Sequence, residues 1–437
     1  MKTVIMAGGK GTRISDFAKG LNEGKEIPKP LIPIRGIPVL ERELVSLKEQ
    51  GFDDIIITVG HLGQQIIDYF GDGSKTSPIT GHPFDVKIQY YAEKEPLGNA
   101  GALFKIKNQL NDDFLLLNGD AVFDIDFHRF ITYHKEKNAV ATLFTHANNH
   151  PYDSGLLITN QDGQVVQWLT KEDSRPEWYK NQVNAGLHVV SPEIFAQPIH
   201  ASKIDLDRQL LKPLAGTGKM YAYDSPEYVQ DMGTPERYKE VSEACKKGII
   251  TRKNLKNWQR AVFLDRDGTI NRYVGYLTDI RDFELLPGTA EAVRRINQSG
   301  YLSIVVTNQP VVARGEVTFE ELNQIHQKME TLLGREGAYL DGIYVCPHHP
   351  SRGFPGEISN LKIECECRKP KPGLLYQAAE DFHIDLHHSW MIGDGWRDIE
   401  AGKNAGIRTA CIERDGKFSE ADMTVASLLD FTKKIFE

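Results

Sequence analysis

Twice along this chain a short apolar run breaks off into a turn rich in glycine or aspartate, and these two openings constrain the fold most. Thr3-Val-Ile-Met-Ala7 leads into Gly8-Gly9-Lys10-Gly11-Thr12-Arg13, and Ala261-Val-Phe-Leu-Asp265 leads into Arg266-Asp267-Gly268-Thr269. After each opening, runs such as Ile55-Ile-Ile-Thr-Val59, Phe114-Leu-Leu-Leu117 and Leu302-Ser-Ile-Val-Val306 alternate with amphipathic stretches. Near-continuous Val, Ile and Leu is the pattern of parallel strands covered on both faces. Strand and helix patterns in alternation predict α/β layers in both halves. A chain of 437 residues is too long for one ordinary core. The expectation is therefore two α/β domains, over residues 1–240 and 259–437, joined by a linker over 241–258. Lys246, Lys247, Arg252, Lys253 and Lys256 crowd that linker, which reads as a solvated face. No internal repeat is found: the two openings differ in chemistry and no further period recurs.

Composition narrows the function by exclusion. A formal net charge of -8 argues against a general nucleic-acid binder, though it leaves room for local phosphate pockets. Met1 to Ala7 lacks the basic and long apolar regions of a signal peptide, and no apolar run is long enough to span a bilayer. The cysteines, Cys245, Cys346, Cys365, Cys367 and Cys411, are too few and too uneven for a disulfide framework. A cytoplasmic enzyme acting on small molecules, with no nucleic-acid or membrane partner, is expected; oligomeric state is not readable.

In the first half, Gly8, Gly9, Gly11 and Thr12 form a loop whose backbone can approach a polyphosphate and cradle its oxygens with free N–H groups. Arg13 adds a fork suited to phosphate. The loop is not a Walker A motif, because Gly11 follows Lys10, and it does not keep dinucleotide spacing. Pro28-Lys29-Pro30 holds a lysine in a rigid segment. Gly98, in Leu97-Gly98-Asn99-Ala100-Gly101, is a second glycine turn entering a helix. Asp120 ends the run Leu115-Leu-Leu-Asn-Gly-Asp120, where open α/β sheets place ligands. Asp231, before Met232-Gly233-Thr234-Pro235, supplies a second carboxylate. Two carboxylates with substrate phosphates are a common way to hold Mg²⁺.

In this order the segments resemble the sugar-1-phosphate nucleotidyltransferases over residues 1–240, nearest the heptose 1-phosphate and mannose-1-phosphate guanylyltransferases. The resemblance implies a Rossmann-like sheet. It implies that Gly8, Gly9, Gly11 and Thr12 hold the nucleotide, that Arg13 and Lys29 stabilise its phosphates, and that Gly98 lies by the base or sugar. Asp120 and Asp231 would carry Mg²⁺. Asn184 and Gly186, in Val183-Asn184-Ala185-Gly186, match the sugar-contacting turn, and Lys171 matches the lysine that meets the sugar phosphate. GTP is the nucleotide the resemblance favours. The stretch Ile14 to Ile27 departs from the family by lacking its proline-threonine pattern.

In the second half, Asp265 and Asp267 end a buried strand two residues apart. One carboxylate can attack phosphorus while the other handles the leaving-group proton, with Mg²⁺ neutralising the phosphate. Thr307 and Asn308 end the next strong strand with groups able to hold phosphate oxygens, Lys369 supplies a fixed charge, and Asp394 and Asp398 follow another apolar run. Cys346-Pro-His348-His349 and Cys365-Glu-Cys367 together offer three thiols and an imidazole, a closed tetrahedral donor set for structural Zn²⁺. Either His348 or His349 could be the nitrogen ligand. A pinned loop would fix Arg368 and Lys369, which follow Cys367 directly.

This constellation resembles the haloacid dehalogenase superfamily of phosphatases over residues 259–437. With the cysteine loop it is most similar to the D-glycero-D-manno-heptose 1,7-bisphosphate phosphatases. The resemblance implies a second Rossmannoid sheet bearing a zinc loop, with Asp265 as nucleophile and Asp267 as general acid and base. Thr307 and Lys369 would hold phosphate, Asp265, Asp394 and the backbone of Asp267 would hold Mg²⁺, and His348 would be the zinc ligand. Histidinol-phosphate phosphatases share the loop and are the nearest competitor. Pro310-Val311-Val312 and Gly395 depart from the usual heptose pattern.

A transferase that uses a sugar 1-phosphate cannot tolerate a fused phosphatase that strips that phosphate. The expectation is a bifunctional enzyme that removes the 7-phosphate of heptose 1,7-bisphosphate and then transfers a nucleotidyl group to heptose 1-phosphate. The same chemistries on mannose or another hexose, or one half serving as an inactive sensing domain, remain the alternatives.

Overall fold

A computed structural model of the chain describes residues 1–9, 11–197, 203–413 and 420–437; Lys10 of the first glycine loop lies outside them. The chain forms two compact units. Unit 1 takes Met1–His146, Leu157–Trp168 and Asn184–Asn254, and unit 2 takes Ala147–Leu156, Leu169–Val183 and Leu255–Glu437.

At the centre of unit 1 the strands Lys87–Ala92, Asp54–Val59, Thr3–Ala7 and Phe114–Asn118 lie side by side and parallel, and Val183–Val190 joins antiparallel beyond the last. Successive side chains leave a strand on opposite faces. Ile5, Ile57 and Leu117 accordingly enter one core, while Val4, Ile56 and Leu116 enter the other. Both faces are dry, which is why these runs read as continuous apolar stretches. The register pairs Ala7 with Val59 and Met6 with Asn118. Gly8 and Gly119 therefore emerge from the same sheet edge.

The stretch expected as a solvated linker folds into unit 1 as far as Asn254. Helix Pro235–Lys246 is followed by a short helix Ile249–Arg252. Val241, Ile249 and Ile250 are buried, and Asn254 donates to Asp124 at 2.6 Å. The isoleucines between the basic residues supply the apolar face that the charge count concealed.

Unit 2 is built on six parallel strands in the order Gly342–Cys346, Leu302–Asn308, Ala261–Leu264, Trp390–Gly393, Arg408–Ile412 and Met423–Val425. Val262, Leu264 and Val305 face one core, and Ala261, Phe263 and Ile304 face the other. Leu264 pairs with Val305 on one side and Ile392 on the other, and Asn308 pairs with Cys346. Asp265, Thr307, Asn308, Cys346 and Asp394 thus converge on the carboxyl edge of neighbouring strands, where open α/β sheets bind ligands. No helix of either unit is long and apolar enough to cross a membrane among the described residues.

Candidate active sites

The carboxyl edge of the unit 1 sheet opens on a cavity of about 530 Å³. Gly8, Gly9, Gly11, Thr12, Arg13, Lys29, Gly98 and Asp120 all line it, so segments far apart in sequence meet in one place. Gly98 is required by close packing. Its φ is +84°, and a Cβ there would stand 2.3 Å from the Ile204 carbonyl oxygen. That carbonyl also accepts the Ala100 N–H at 3.0 Å, and the Ile204 N–H donates to Leu97 at 2.7 Å. The turn is tied down by backbone, which cannot yield.

Lys29 forms an ion pair with Asp120 across the cavity. The antiparallel pair Ala121–Asp124 and Tyr228–Asp231 sets Asp231 opposite Ala121, bringing the second carboxylate beside the first. Asp231 accepts from Arg237 at 2.8 and 3.1 Å and from the Gly233 N–H at 2.6 Å. Burial works against its ionisation, but Arg237 and Lys29 outweigh burial and hold the carboxyl below the usual range. A Cβ on Gly233 would stand 3.0 Å from the Arg13 guanidinium, so this arginine reaches the same corner. Glu43, on the helix Val39–Glu49, had no functional signal in sequence. It is buried, both carboxylate oxygens lack a hydrogen-bond partner, and burial followed by the charge of Asp120 pushes its carboxyl well above the ordinary value.

Asn184, Gly186, Lys171 and Asp231 do not line the cavity themselves. Asn184 Oδ1 accepts from the Gly186 N–H at 3.2 Å. Gly186, at φ +79°, leaves no room for a Cβ beside the amide of Asn118, which would be 2.3 Å away, and Asn118 is part of the cavity wall. Lys171 is exposed and belongs to the segment Leu169–Val183 of unit 2.

In unit 2 the centre of the site is a buried ammonium. Lys369 Nζ is 2.7 Å from Asp265, 2.6 Å from Asp398 and 2.7 Å from the Val306 carbonyl. Asn308 fixes this lysine: its amide donates to the Lys369 carbonyl and accepts the Lys369 N–H, both at 3.0 Å. Both ends of the Asn308 side chain are therefore engaged on backbone. Asp265, Asp394 and Asp398 bring carboxylate oxygens within 4.8 Å of one another. Burial, then the charge of Asp398, pushes the Asp265 carboxyl up to about 7 against the pull of Lys369. Asp398 stands four residues after Asp394 on the first turn of helix Trp396–Asn404, and accepts the Gly395 N–H at 3.1 Å. Its sequence signal was only that spacing.

The side chain of Asp267 does not join this carboxylate group; the expectation for Mg²⁺ concerned its backbone. The reason is a set of N–H donors. Arg266, fully buried, bonds both Asp267 oxygens at 2.8 to 3.2 Å, Asn271 donates at 3.0 Å and Gln309 at 2.8 Å. Burial opposes ionisation, yet Arg266 and these amides hold the carboxyl below its ordinary value. His326 stands behind Arg266 at 3.2 Å. Burial, then the guanidinium, depresses its imidazole to about 3, so the neutral ring accepts from Arg266. Thr307 is buried, with its hydroxyl 2.9 Å from the Gln309 amide.

Cys346, His348, Cys365 and Cys367 cluster with donor atoms within 4.8 Å of one another. The Cys346–Cys365 and Cys365–Cys367 sulfurs are 3.6 and 3.2 Å apart, and His348 Nδ1 is 3.8 and 3.2 Å from Cys346 and Cys367. Zn–S bonds of about 2.3 Å give tetrahedral edges of about 3.8 Å, so the donor set fits zinc. Packed thiols suffer without a cation: hydrogen bonding to Cys346, then burial, drives the Cys367 thiol far above its usual value. His349 turns away, accepting the Ser351 N–H at 3.2 Å. Arg368 donates to the His348 carbonyl at 3.2 Å, tying the arginine to the loop. Arg314 also escaped the sequence reading; its guanidinium lies 3.9 Å over the Tyr276 ring and 4.4 Å from that of Phe354.

Residues 2–248 match the nucleotidyl transferase family, and residues 366–429 match the HAD-hydrolase-like family. The chain belongs to the nucleotidyl transferase family, and a phosphatase of the second kind is joined to it. Among curated proteins, the D-glycero-beta-D-manno-heptose-1,7-bisphosphate 7-phosphatase of Yersinia pestis is 40% identical over 181 residues, covering 40% of this chain and 94% of the relative. The protein of the same name from Escherichia coli K12 is 39% identical over 181 residues, covering 40% and 93%. Among solved structures, HddC from Yersinia pseudotuberculosis complexed with GMP-PN aligns at 25% identity and TM-score 0.45, over 56% of this chain and 99% of that one.

Proposed function

We propose that the chain performs two consecutive steps of nucleotide-activated heptose synthesis in the cytoplasm. Unit 2 removes the 7-phosphate of D-glycero-D-manno-heptose 1,7-bisphosphate, and unit 1 transfers a nucleotidyl group, from GTP by preference, to the resulting heptose 1-phosphate. The observation that carries this reading is the pairing within one chain of a nucleotidyl transferase with a segment 40% identical to a protein named a 7-phosphatase over 94% of that protein's length. Only a phosphatase that spares the anomeric phosphate is compatible with such a partner.

In the phosphatase step an Asp265 carboxylate oxygen attacks phosphorus as the bond to the C7 oxygen breaks, and that oxygen takes a proton from Asp267, whose carboxyl acquires it when the anionic phosphate binds beside it and raises its affinity for a proton. Water then attacks the aspartyl phosphate, gives a proton to Asp267, and inorganic phosphate leaves. Thr307 and Lys369 hold phosphate oxygens. Asp265, Asp394 and the Asp267 backbone carbonyl would hold Mg²⁺, with Asp398 beside them, and the ion would neutralise the phosphate that otherwise repels the nucleophile. Cys346, His348, Cys365 and Cys367 would hold zinc, which with four protein ligands would be structural and would fix Arg368. The charges of Arg368, Arg314 and Lys362 all act on His349.

In the transfer step an oxygen of the sugar phosphate attacks the α-phosphorus of the nucleoside triphosphate, and pyrophosphate leaves. Gly8, Gly9, Gly11 and Thr12 cradle the nucleotide, Arg13 and Lys29 neutralise its phosphates, and Gly98 borders the base or ribose. Asn184 and Gly186 serve the sugar phosphate. Asp120 and Asp231 would hold Mg²⁺ together with substrate oxygens. Mg²⁺ would compete with Lys29 for the Asp120 carboxylate and would free the lysine for the phosphates.

Phosphorus NMR of the full chain tests the order. With heptose 1,7-bisphosphate and Mg²⁺ the 7-phosphate signal should vanish while the 1-phosphate persists. GTP should then convert the latter to a diphosphate with release of pyrophosphate. Loss of the 1-phosphate first would overturn the proposal.

A further inference from the structure

We propose that Gln309 is a positioning residue that ties the acid–base Asp267 to the phosphate-holding Thr307. The inference rests on the phosphatase reading above and goes beyond it. Gln309 is 2% exposed. Its amide nitrogen donates to Asp267 Oδ2 at 2.8 Å and to Thr307 Oγ1 at 2.9 Å. A primary amide has two hydrogens to give, and these two contacts use both. One side chain therefore measures the distance between the group that grips the phosphate and the group that must protonate the departing oxygen.

The backbone around Gln309 allows little drift. Its N–H donates to the Cys346 carbonyl at 2.8 Å, on the strand next to its own. Pro310 follows it, which restricts the backbone of the preceding residue. Val311 and Val312, the departures noted in the sequence, are buried at 1% and 0% exposure and anchor the turn from below. Arg266 bonds both oxygens of Asp267, sharing Oδ2 with Gln309, and Asn271 bonds Oδ1. Of these donors, Gln309 is the one that also bonds Thr307.

The consequence is a dependence on the leaving group. When a sugar ester is cleaved, the P–O bond breaks as the C7 oxygen takes a proton from Asp267, because an alkoxide is a poor leaving group. When 4-nitrophenyl phosphate is cleaved, the phenolate departs without that proton. A misplaced Asp267 therefore harms the first reaction and spares the second.

The test is Gln309→Met in the full chain, comparing kcat/KM for heptose 1,7-bisphosphate and 4-nitrophenyl phosphate, a parameter that ends with departure of the leaving group. General acid catalysis contributes about 10²- to 10⁴-fold, so partial misplacement should lower the sugar ester about 10- to 100-fold while the nitrophenyl ester changes by less than about 3-fold. Gln309→Leu removes the hydrogens at similar volume without adding a charge and should give the same split. In an Asp267→Asn background, Gln309→Met should add nothing further. Equal losses on both esters, an unchanged sugar ester, or an additive loss in the Asp267→Asn background would each overturn the inference. Failure of the unaltered protein to hydrolyse either ester would overturn the phosphatase reading instead.

Discussion

Replacing Lys369 with methionine removes the ammonium and keeps the length of the stem. In the folded chain this cation sits 2.7 Å from Asp265 and 2.6 Å from Asp398, with 3% of its side chain exposed. At an effective dielectric of ~20, each contact is worth roughly 6 kcal/mol of gross attraction. Desolvation of the three groups offsets most of this, and breaking a buried pair costs about 3–5 kcal/mol net because a charge is left unpaired. Asp265 already lies near 7 with the lysine present; without it the carboxyl takes up a proton, which limits the loss to that range. For a domain of 150–250 residues this corresponds to a fall in Tm of about 6–20 °C. Hydrogen exchange followed by mass spectrometry along a temperature series reads unit 2 separately, through the strands Ala261–Leu264, Leu302–Asn308 and Trp390–Gly393. Mg²⁺ should recover more stability in Lys369→Met than in the unaltered chain, since the ion replaces the missing positive charge among three carboxylates. Phosphate release should be lost and pyrophosphate release kept. A Tm for unit 2 within about 2 °C of the unaltered protein would refute the view that this lysine neutralises the carboxylate group.

Further outcomes follow from other contacts. Gly98→Ala drives a Cβ against the Ile204 carbonyl at 2.3 Å; it should cost about 1–3 kcal/mol of strain and raise KM for the nucleoside triphosphate, while 4-nitrophenyl phosphate hydrolysis is unchanged. Steady-state kinetics of both activities decides. Cys365→Ser breaks the zinc donor set, so metal analysis should show zinc falling well below stoichiometric, and phosphatase activity should drop about 10- to 100-fold through loosened Arg368 and Lys369. Zinc retained at full stoichiometry would refute the ligand assignment. His326, held near 3 in the fold against about 6.5 unfolded, cannot accept the proton that the unfolded chain binds on acidification. Its contribution to unit 2 is complete above pH 6.5 and declines by up to about 1.4 kcal/mol per pH unit toward pH 3. Between pH 6.5 and 5, urea midpoints of unit 2 should fall less steeply for His326→Gln than for the unaltered protein.

Much of both sites was legible because their chemistry is concentrated in short segments at strand ends. The spacing of Cys346, Cys365 and Cys367 with His348 and His349 announced a four-donor cluster from thiol and imidazole chemistry, and the family resemblance picked His348. The Asp265-Arg-Asp267 pair after an apolar strand announced its edge. Less legible were groups whose partners are remote. Glu43 reads as one polar residue on an amphipathic helix, and only packing reveals that both its oxygens are buried without a partner. Gln309 follows a strand unremarkably until the fold lays it between Thr307 and Asp267. Asn308 looked like a phosphate ligand because of its position, yet its amide is engaged on the backbone of Lys369, 61 residues away.

The amino-acid sequence by itself determined the layers, since period and apolar continuity dictate which segments become strands buried on two faces, and it determined the kinds of chemistry available. The tertiary structure decided which charges neutralise one another. Sheet register set Leu264 beside Val305 and Ile392, bringing Lys369 to Asp265 and Asp398 but leaving Asp267 to Arg266. It also decided which chain segments belong to which core, giving Ala147–Leu156 and Leu169–Val183 to unit 2 and residues as far as Asn254 to unit 1. Such choices depend on distances between residues remote in sequence, and local propensity carries no information about them.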